Sequence, residues 1–322
     1  MNSPLTTSPS GALMLADRLA DWSGMAQGAF AANTLRAWKA DWAVFTMSCR
    51  AFRLEALPAS PKTVRAFVFE CLGKGKKPAT VRRYVSTIGR AHRASGVSDP
   101  TASEDVKLAL KEMGRNSTAR QKQARGLTWA EIELFLSVEP RNLRDIRDRA
   151  LVAVAYDTMC RREELVLLRV EDIADAGDGS GSILIRRSKT DTTGEGATAY
   201  LSPLTMRLVA EWLKESGLKA GPVFVRVHGS TGVGDPLTPQ SVMAVLRKVG
   251  QWIGLERKEW EGISGHSARV GAAQDLLALN ISLASVMQAG RWKDTRMPMR
   301  YAERVLATRG GIAQAAKDQG KL

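Results

Sequence analysis

Six consecutive residues, Ser264-Gly265-His266-Ser267-Ala268-Arg269, place an imidazole and a guanidinium about one helical turn apart. Ser264 and Gly265 favour a turn, and Ser267 is a candidate cap for the helix that follows. His266 and Arg269 then converge at a helix N-terminus, where unpaired backbone N–H groups and the helix dipole already favour an anion. A guanidinium and an imidazole added there make a phosphate-binding arrangement. Taken alone, the same six residues also read as a solvent-facing cap with a surface arginine.

Other residues change that balance. Arg161 follows the apolar run Leu151–Ala155 and precedes Leu165, Leu167 and Leu168. A cation beside so much core material is costly unless it points into a polar site. Lys189 stands at the tip of an expected hairpin (Arg186-Arg187-Ser188-Lys189-Thr190), where a long side chain reaches into a cleft. Tyr301 lies in the amphipathic segment Met297–Val305, nine residues after Trp292. Cofactor signals fail. Gly73-Lys-Gly75 lacks a third glycine and a preceding strand, and Asp175–Gly181 lacks the register of a calcium loop. His92, His228 and His266 are far apart, and there is no HExxH, Walker loop or GxSxG. The expected chemistry therefore uses no cofactor and no metal.

These residues need a scaffold, and the periodicity describes one that is mostly helical. Residues 1–12 are rich in Ser, Thr, Pro and Gly and read as a disordered tail. From 13 to 113, apolar residues recur at spacings of three and four, as in Leu35, Trp38, Trp42 and Phe45, with breaks at Pro58–Pro61, Gly73–Gly75 and Gly96–Pro100. That predicts four or five helices in a small all-α domain. Residues 114–126 are polar and basic, a linker suited to run along a ligand backbone. Beyond it, Thr128 with Glu131 predicts a capping box, and helices are expected over 143–158, around Arg161–Leu168, and over 204–216, 239–253, 267–279, 283–289 and 297–307. Ser182–Arg187 and Ala197–Leu201 carry the one clear strand signal. Pro298, three residues before Tyr301, either starts that helix or kinks it.

The chain has 322 residues, with 44% hydrophobic and 25% charged, the balance of a folded protein. Its net charge of +14 is uneven: residues 1–125 carry +11 and residues 126–322 carry +3, as in a segment that lies against a polyanion. Between 62 and 93 stand nine Lys or Arg and one acid, Glu70. Thr80-Val81-Arg82-Arg83-Tyr84 opens a helix there, which makes Arg83 the expected base reader beside Arg82, with Lys76, Lys77 and Arg90 on phosphates. Cys49, Cys71 and Cys160 form no disulfide framework, no apolar run spans a membrane, and no signal or transit peptide is evident. A cytoplasmic protein is expected.

The order and spacing of Ala155–Glu164, Leu168–Ile173, Arg187-Ser-Lys189-Thr, Ser264–Ala273, Val286–Trp292 and Tyr301 resemble the tyrosine site-specific recombinases of the phage integrase family over roughly 145–305. Ala79–His92 carries a weaker likeness. The resemblance implies a two-domain DNA clamp, mainly α, with an all-α N-terminal domain (13–113) and a mostly helical catalytic domain (127–322) holding one small antiparallel sheet. It implies that Tyr301 attacks a DNA phosphate to give a 3′-phosphotyrosine, and that strands exchange through a Holliday junction. Arg161 and Arg269 would hold the phosphate, His266 would donate to it or manage the tyrosine proton, and Lys189 would be the general acid. Trp292 would be a phosphate donor and buttress. Glu164 would orient His266 or Arg161, with Glu163 solvated. Register against Leu168-Arg169-Val170 selects Arg161 over Arg162, leaving Arg162 exposed or near DNA, with Arg187 a further DNA-binding candidate in the hairpin. The implied partners are double-stranded DNA with an inverted-repeat site and three further copies of the chain, tetramerised through a helix after Arg309, in a bacterial or phage-encoded system. An accessory DNA-binding relative lacks support because every expected residue is present. The short chain and C-terminal helix weigh against a topoisomerase or telomere resolvase.

Overall fold

Three- and four-residue spacing of apolar side chains dictates the first part of the fold. The computed structural model describes residues 9–117, 123–188, 194–229 and 232–320, and the chain divides into two compact units, 1–121 and 122–322. The first unit contains α1 (Pro9–Ala29), α2 (Ala32–Ala51), α3 (Pro61–Gly73), α4 (Pro78–Ala94) and α5 (Glu104–Asn116). Helix α1 begins at Pro9, so residues 9–12 are helical rather than part of a tail, and α5 runs two residues past the start of the expected linker at 114. Of that linker, residues 118–122 lie outside the described residues.

Local chemistry fixes the helix starts. Ser60 Oγ accepts from the Thr63 N–H at 3.1 Å with Pro61 in the first turn, and Ser103 Oγ accepts from Val106 at 3.4 Å with Glu104 and Asp105 beside it. Val81, Tyr84, Val85 and Ile88 form the buried stripe of α4 and pack with Phe45, Phe67 and Met113. His92 extends that stripe as a wholly buried polar group. Its Nε2 accepts from the Ala59 N–H and its Nδ1 donates to the Ile88 carbonyl, each at 2.8 Å, so the neutral ring is satisfied on both sides.

The second unit is built on α7 (Leu143–Asp157), whose residues Ala150–Ala155 are all buried. The other helices of this unit are α6 (Trp129–Leu136), α8 (Arg162–Leu165), α9 (Pro203–Ser216), α10 (Pro239–Trp252), α11 (Arg257–Glu261), α12 (Ser267–Ala278), α13 (Leu283–Gly290), α14 (Arg296–Arg309) and α15 (Gly311–Asp318), of which α6, α9, α10 and α12 pack on α7. The Thr128–Glu131 box forms as expected, with the Thr128 N–H donating to Glu131 Oε2 at 3.0 Å. Strands β1 (Ile173–Asp175), β2 (Gly181–Ile185) and β3 (Ala197–Leu201) make an antiparallel sheet in that order, pairing Ile173 with Ile183 and Ile185 with Ala197. Ile183, Ile185, Ala199 and Leu201 point into the core.

The class is mainly α with a small antiparallel sheet, but the sequence reading missed that sheet's first strand, β1, and three further elements. A second hairpin pairs β4 (Val225–His228) with β5 (Gly232–Pro236), and α11 precedes the His266 turn. β5 is exposed at every position and rich in glycine, so no alternation marks it. Pro298 is the third residue of α14, which begins at Arg296, and so lies outside the helix interior where a proline kinks. It stands in the first turn, where its missing N–H is not needed, and Met299 already donates to Thr295.

Candidate active site

Helix α12 carries the centre of the site. His266 precedes its first turn, and the cap is not the one expected. Ser267 lies inside the helix, buried, and its Oγ accepts from the Ser264 N–H at 2.9 Å, so it fastens the turn rather than capping the helix. Arg269, one turn on, is almost wholly buried. Its Nη1 donates to the Met159 carbonyl at 2.6 Å, its Nη2 donates to the Gly290 carbonyl, and its guanidinium lies over the Trp292 ring, 4.1 Å from the centroid. Trp292 packs so closely on Gly290 that a Cβ there would meet the ring at 2.0 Å. Trp292 in turn meets Tyr301 edge to face, centroids 5.9 Å apart.

Arg161 stands at the N-cap of α8, its side chain 17% exposed. Its Nη1 donates to Glu164 Oε1 at 2.7 Å and its N–H to Glu164 Oε2 at 3.0 Å. Glu164 therefore orients Arg161, and among the described residues its bonds do not include His266. Arg162 lies against Gly265 in the His266 turn and its Nε donates to Glu163 Oε1 at 2.9 Å, so Glu163 is paired rather than solvated alone. Sequence reasoning gave no role to Arg291, which donates to Glu164 Oε2 at 3.0 Å and to the Thr158 carbonyl at 2.8 Å. Its only sequence signal was adjacency to Gly290 and Trp292.

Three guanidiniums facing one carboxylate leave a net positive site. Burial pulls Arg269 down to about 10, with Arg161 and Arg291 repelling it further. Burial also lowers His266, and Arg161, Arg269 and Arg162 reinforce that against the opposing charge of Glu163, so the imidazole is neutral at pH 7. Burial alone would raise Glu164. The hydrogen bonds from Arg161 and the charges of Arg291 and Arg161 outweigh it and hold the carboxyl below its usual range.

Tyr301 is half-buried on α14 above a cluster of Met159, Ala272, Ala273, Val286 and Ala302. Its carbonyl accepts from Gln274 Nε2 at 2.9 Å and Gln123 Nε2 at 3.1 Å. Tyr156, also near α12, is no rival for chemistry. Its hydroxyl donates to Asp275 at 2.7 Å, and burial together with that carboxylate raises its pKa strongly.

Lys189 lies outside the described residues. Its neighbour Arg186 is held by Asp172 through Nε at 2.8 Å and Nη2 at 2.9 Å, while Arg187 is exposed. In the first unit Lys76, Lys77 and Arg82 are exposed. Arg83 is 51% exposed, but its Nη2 pairs with the buried Asp41 at 3.0 Å. Arg90 departs from the expected phosphate-contacting position: it is half-buried, with its guanidinium 4.2 Å from the Trp38 ring centroid, because Phe30 and Trp38 close over it. Among the described residues, no helix is long and apolar enough to cross a membrane and no cluster of His, Cys, Asp and Glu could hold a metal.

Residues 125–306 match the phage integrase family. The chain is 28% identical over 297 residues to the recombinase cre of Escherichia phage P1, covering 86% of this chain and 84% of that protein. It is 28% identical over 284 residues to an integrase/recombinase xerD homolog of Selenomonas ruminantium, covering 84% and 81%. The fold is similar to the Tn1549 transposon integrase solved with transposon right end DNA, with a TM-score of 0.64 at 13% identity over 92% of this chain and 98% of that one. It is also similar to the XerH recombinase bound to palindromic difH substrate, with a TM-score of 0.58 at 20% identity over 77% and 71%.

Proposed function

The chain belongs to the phage integrase family, and from that premise we propose that it recombines specific DNA sites, with Tyr301 as nucleophile. The observation that carries this reading is the placement of Arg161, His266, Arg269, Trp292 and Tyr301 about one pole of α12, with Arg269 stacked on Trp292 and Trp292 against Tyr301. The Tyr301 oxygen attacks a DNA phosphorus, and the bond to the 5′-oxygen breaks, leaving a 3′-phosphotyrosine. The freed 5′-hydroxyl of a partner duplex attacks that ester and releases the tyrosine, so two rounds pass through a Holliday junction. One phosphoester replaces another at each step, and no nucleotide hydrolysis is needed.

Arg161 and Arg269 stabilise the charge on the non-bridging oxygens. The Tyr301 phenol must give up its proton as it attacks, so it needs a proton acceptor. The neutral His266 supplies one, and its proton-bearing form then donates to the phosphate. Lys189 protonates the leaving 5′-oxygen. Trp292 holds the Arg269 plane and donates through its indole N–H. Duplex DNA lies against the exposed cations Lys76, Lys77, Arg82 and Arg83 of the first unit, with Arg162 and Arg187 serving the second. Four copies act on two inverted-repeat sites, joined through α15.

Covalent trapping tests the reading. The protein is incubated with DNA of its own replicon and quenched with SDS, with Tyr301→Phe beside it. A protein–DNA adduct absent from the variant supports it, and sequencing the trapped DNA gives the site. Specific binding to those fragments with no adduct would replace it with an accessory DNA-binding role.

A further inference from the structure

Arg291 ends α13 with φ 55° and ψ 43°, a left-handed conformation that disfavours every side chain but glycine's. An arginine at such a position is held by its contacts. Nη1 donates to the Thr158 carbonyl at 2.8 Å, and Nη2 donates to Glu164 Oε2 at 3.0 Å and lies 3.6 Å from Cys160 Sγ. The side chain is 12% exposed. Glu164, 4% exposed, thus joins two guanidiniums: Arg291 from the buried side and Arg161 from the open side. The neighbours of Arg291 hold the other arginine of the site, since the Gly290 carbonyl and the Trp292 ring both contact Arg269. Gly290-Arg291-Trp292 therefore reaches Arg269 directly and Arg161 through Glu164.

We infer that Arg291 is a positioning residue for strand cleavage, a role that rests on the recombinase reading above. Together with Arg161 it holds Glu164 ionised, and it fixes the carboxylate plane from the other side, so Arg161 is anchored through Nη1 while the rest of its planar donor set faces the phosphate. The groups facing Glu164 are Arg161 on its own helix, Arg291 at the end of α13, Arg269 on α12 and the Cys160 thiol, which burial keeps protonated. Without Arg291, Glu164 keeps the hydrogen bonds from Arg161 but loses one of its two opposing charges, so its carboxyl titrates higher and holds Arg161 less firmly.

Three variants separate this role from backbone support: Arg291→Gln, Arg291→Gly and Arg291→Lys. Glycine relieves the left-handed strain, so a purely structural Arg291 predicts that Arg291→Gly is at least as active as the native protein. Two readouts are taken. The first is the titration of the Glu164 carboxyl in 13C-glutamate-labelled protein without DNA, assigned with Glu164→Gln. The second is the rate of adduct formation on the trapped DNA as a function of pH. Arg291→Gln and Arg291→Gly should raise the Glu164 titration, carry the acid limb of the rate profile up with it and lower the maximal rate roughly tenfold. Arg291→Lys, which keeps the charge, should stay close to native in both. An unmoved Glu164 titration or acid limb, with native adduct formation intact, overturns this inference alone. Failure of the native protein to form any adduct overturns the recombinase reading and the positioning role together, whatever Glu164 does.

Discussion

The side-chain amide of Gln274 on α12 donates to the main-chain carbonyl of Tyr301 on α14 at 2.9 Å, and Gln123 donates to the same oxygen from the segment leading into α6. That segment is tied down along its length, Arg125 donating to the Gly262 carbonyl and Leu127 to that of Ser267. The helix bearing Tyr301 is thus held to the helix bearing His266 and Arg269 at the Tyr301 peptide itself.

Gln274→Leu removes the shorter of the two donors. A net loss of about 1 kcal/mol is expected, which slows adduct formation roughly fivefold if it falls on the transition state. Gln123→Leu alone should cost less, because Gln274 remains. The double variant should exceed the sum of the two. Single-turnover rates on one DNA fragment measure all three, and strict additivity would show that the two amides do not share a task.

Gly271 faces the same segment. A Cβ there would stand 1.7 Å from the Leu127 carbonyl oxygen, a backbone atom that cannot step aside. Gly271→Ala should destabilise the second unit by about 3 kcal/mol or prevent its folding. A Cβ added at Gly24 on α1 would meet nothing within 4 Å, so Gly24→Ala should instead stabilise by about 0.5 kcal/mol. Urea titrations of the two variants should move their midpoints in opposite directions.

Spacing alone made much of this legible. His266 and Arg269 one turn apart, Arg161 beside a core helix, and Trp292 nine residues before Tyr301 are periodic facts, and the fold brings them together in one unit. What was hidden depends on tertiary contact. Arg291 gained its place from a left-handed helix end, and Ser267 from a turn that reversed its capping direction. Arg90 on α4 looked like a surface cation until Phe30 and Trp38 closed over it. The β4–β5 hairpin carries no alternating pattern because one of its strands buries nothing.

Arg269→Lys tests whether the planar group, rather than its charge, builds the site. The guanidinium spans two carbonyls from separate segments and lies flat on an indole. A lysine reaches one carbonyl and cannot stack. The variant should lose about 2 kcal/mol of stability and all detectable adduct. Adduct formation within tenfold of native would mean that a point charge suffices.

His92 sets an acid limit on the first unit. Burial lowers its pKa below 6.5 despite the Ile88 carbonyl and Asp99, so the unfolded chain binds the proton more readily than the folded one. Its contribution is complete above pH 6.5 and is lost as the pH falls through the lowered native value. The native protein should therefore lose more stability than His92→Gln between about pH 7.5 and 5.5, since glutamine can serve both the Ala59 N–H and the Ile88 carbonyl without titrating. Equal slopes for the two proteins would remove His92 as the cause.

Helix α15 buries none of its residues, and Ile312 is 87% exposed. An isolated helix of eight residues is marginal in water, so its apolar positions gain their stabilisation only against another surface. Deleting 311–322 should accordingly shift Tm by less than about 2 °C, because no core is opened. If α15 joins neighbouring copies, the same deletion should leave binding to one site intact and abolish the complex that holds two sites, resolved by native gel or analytical ultracentrifugation. A truncated protein that still recombines at the full rate would show that the copies meet through some other surface.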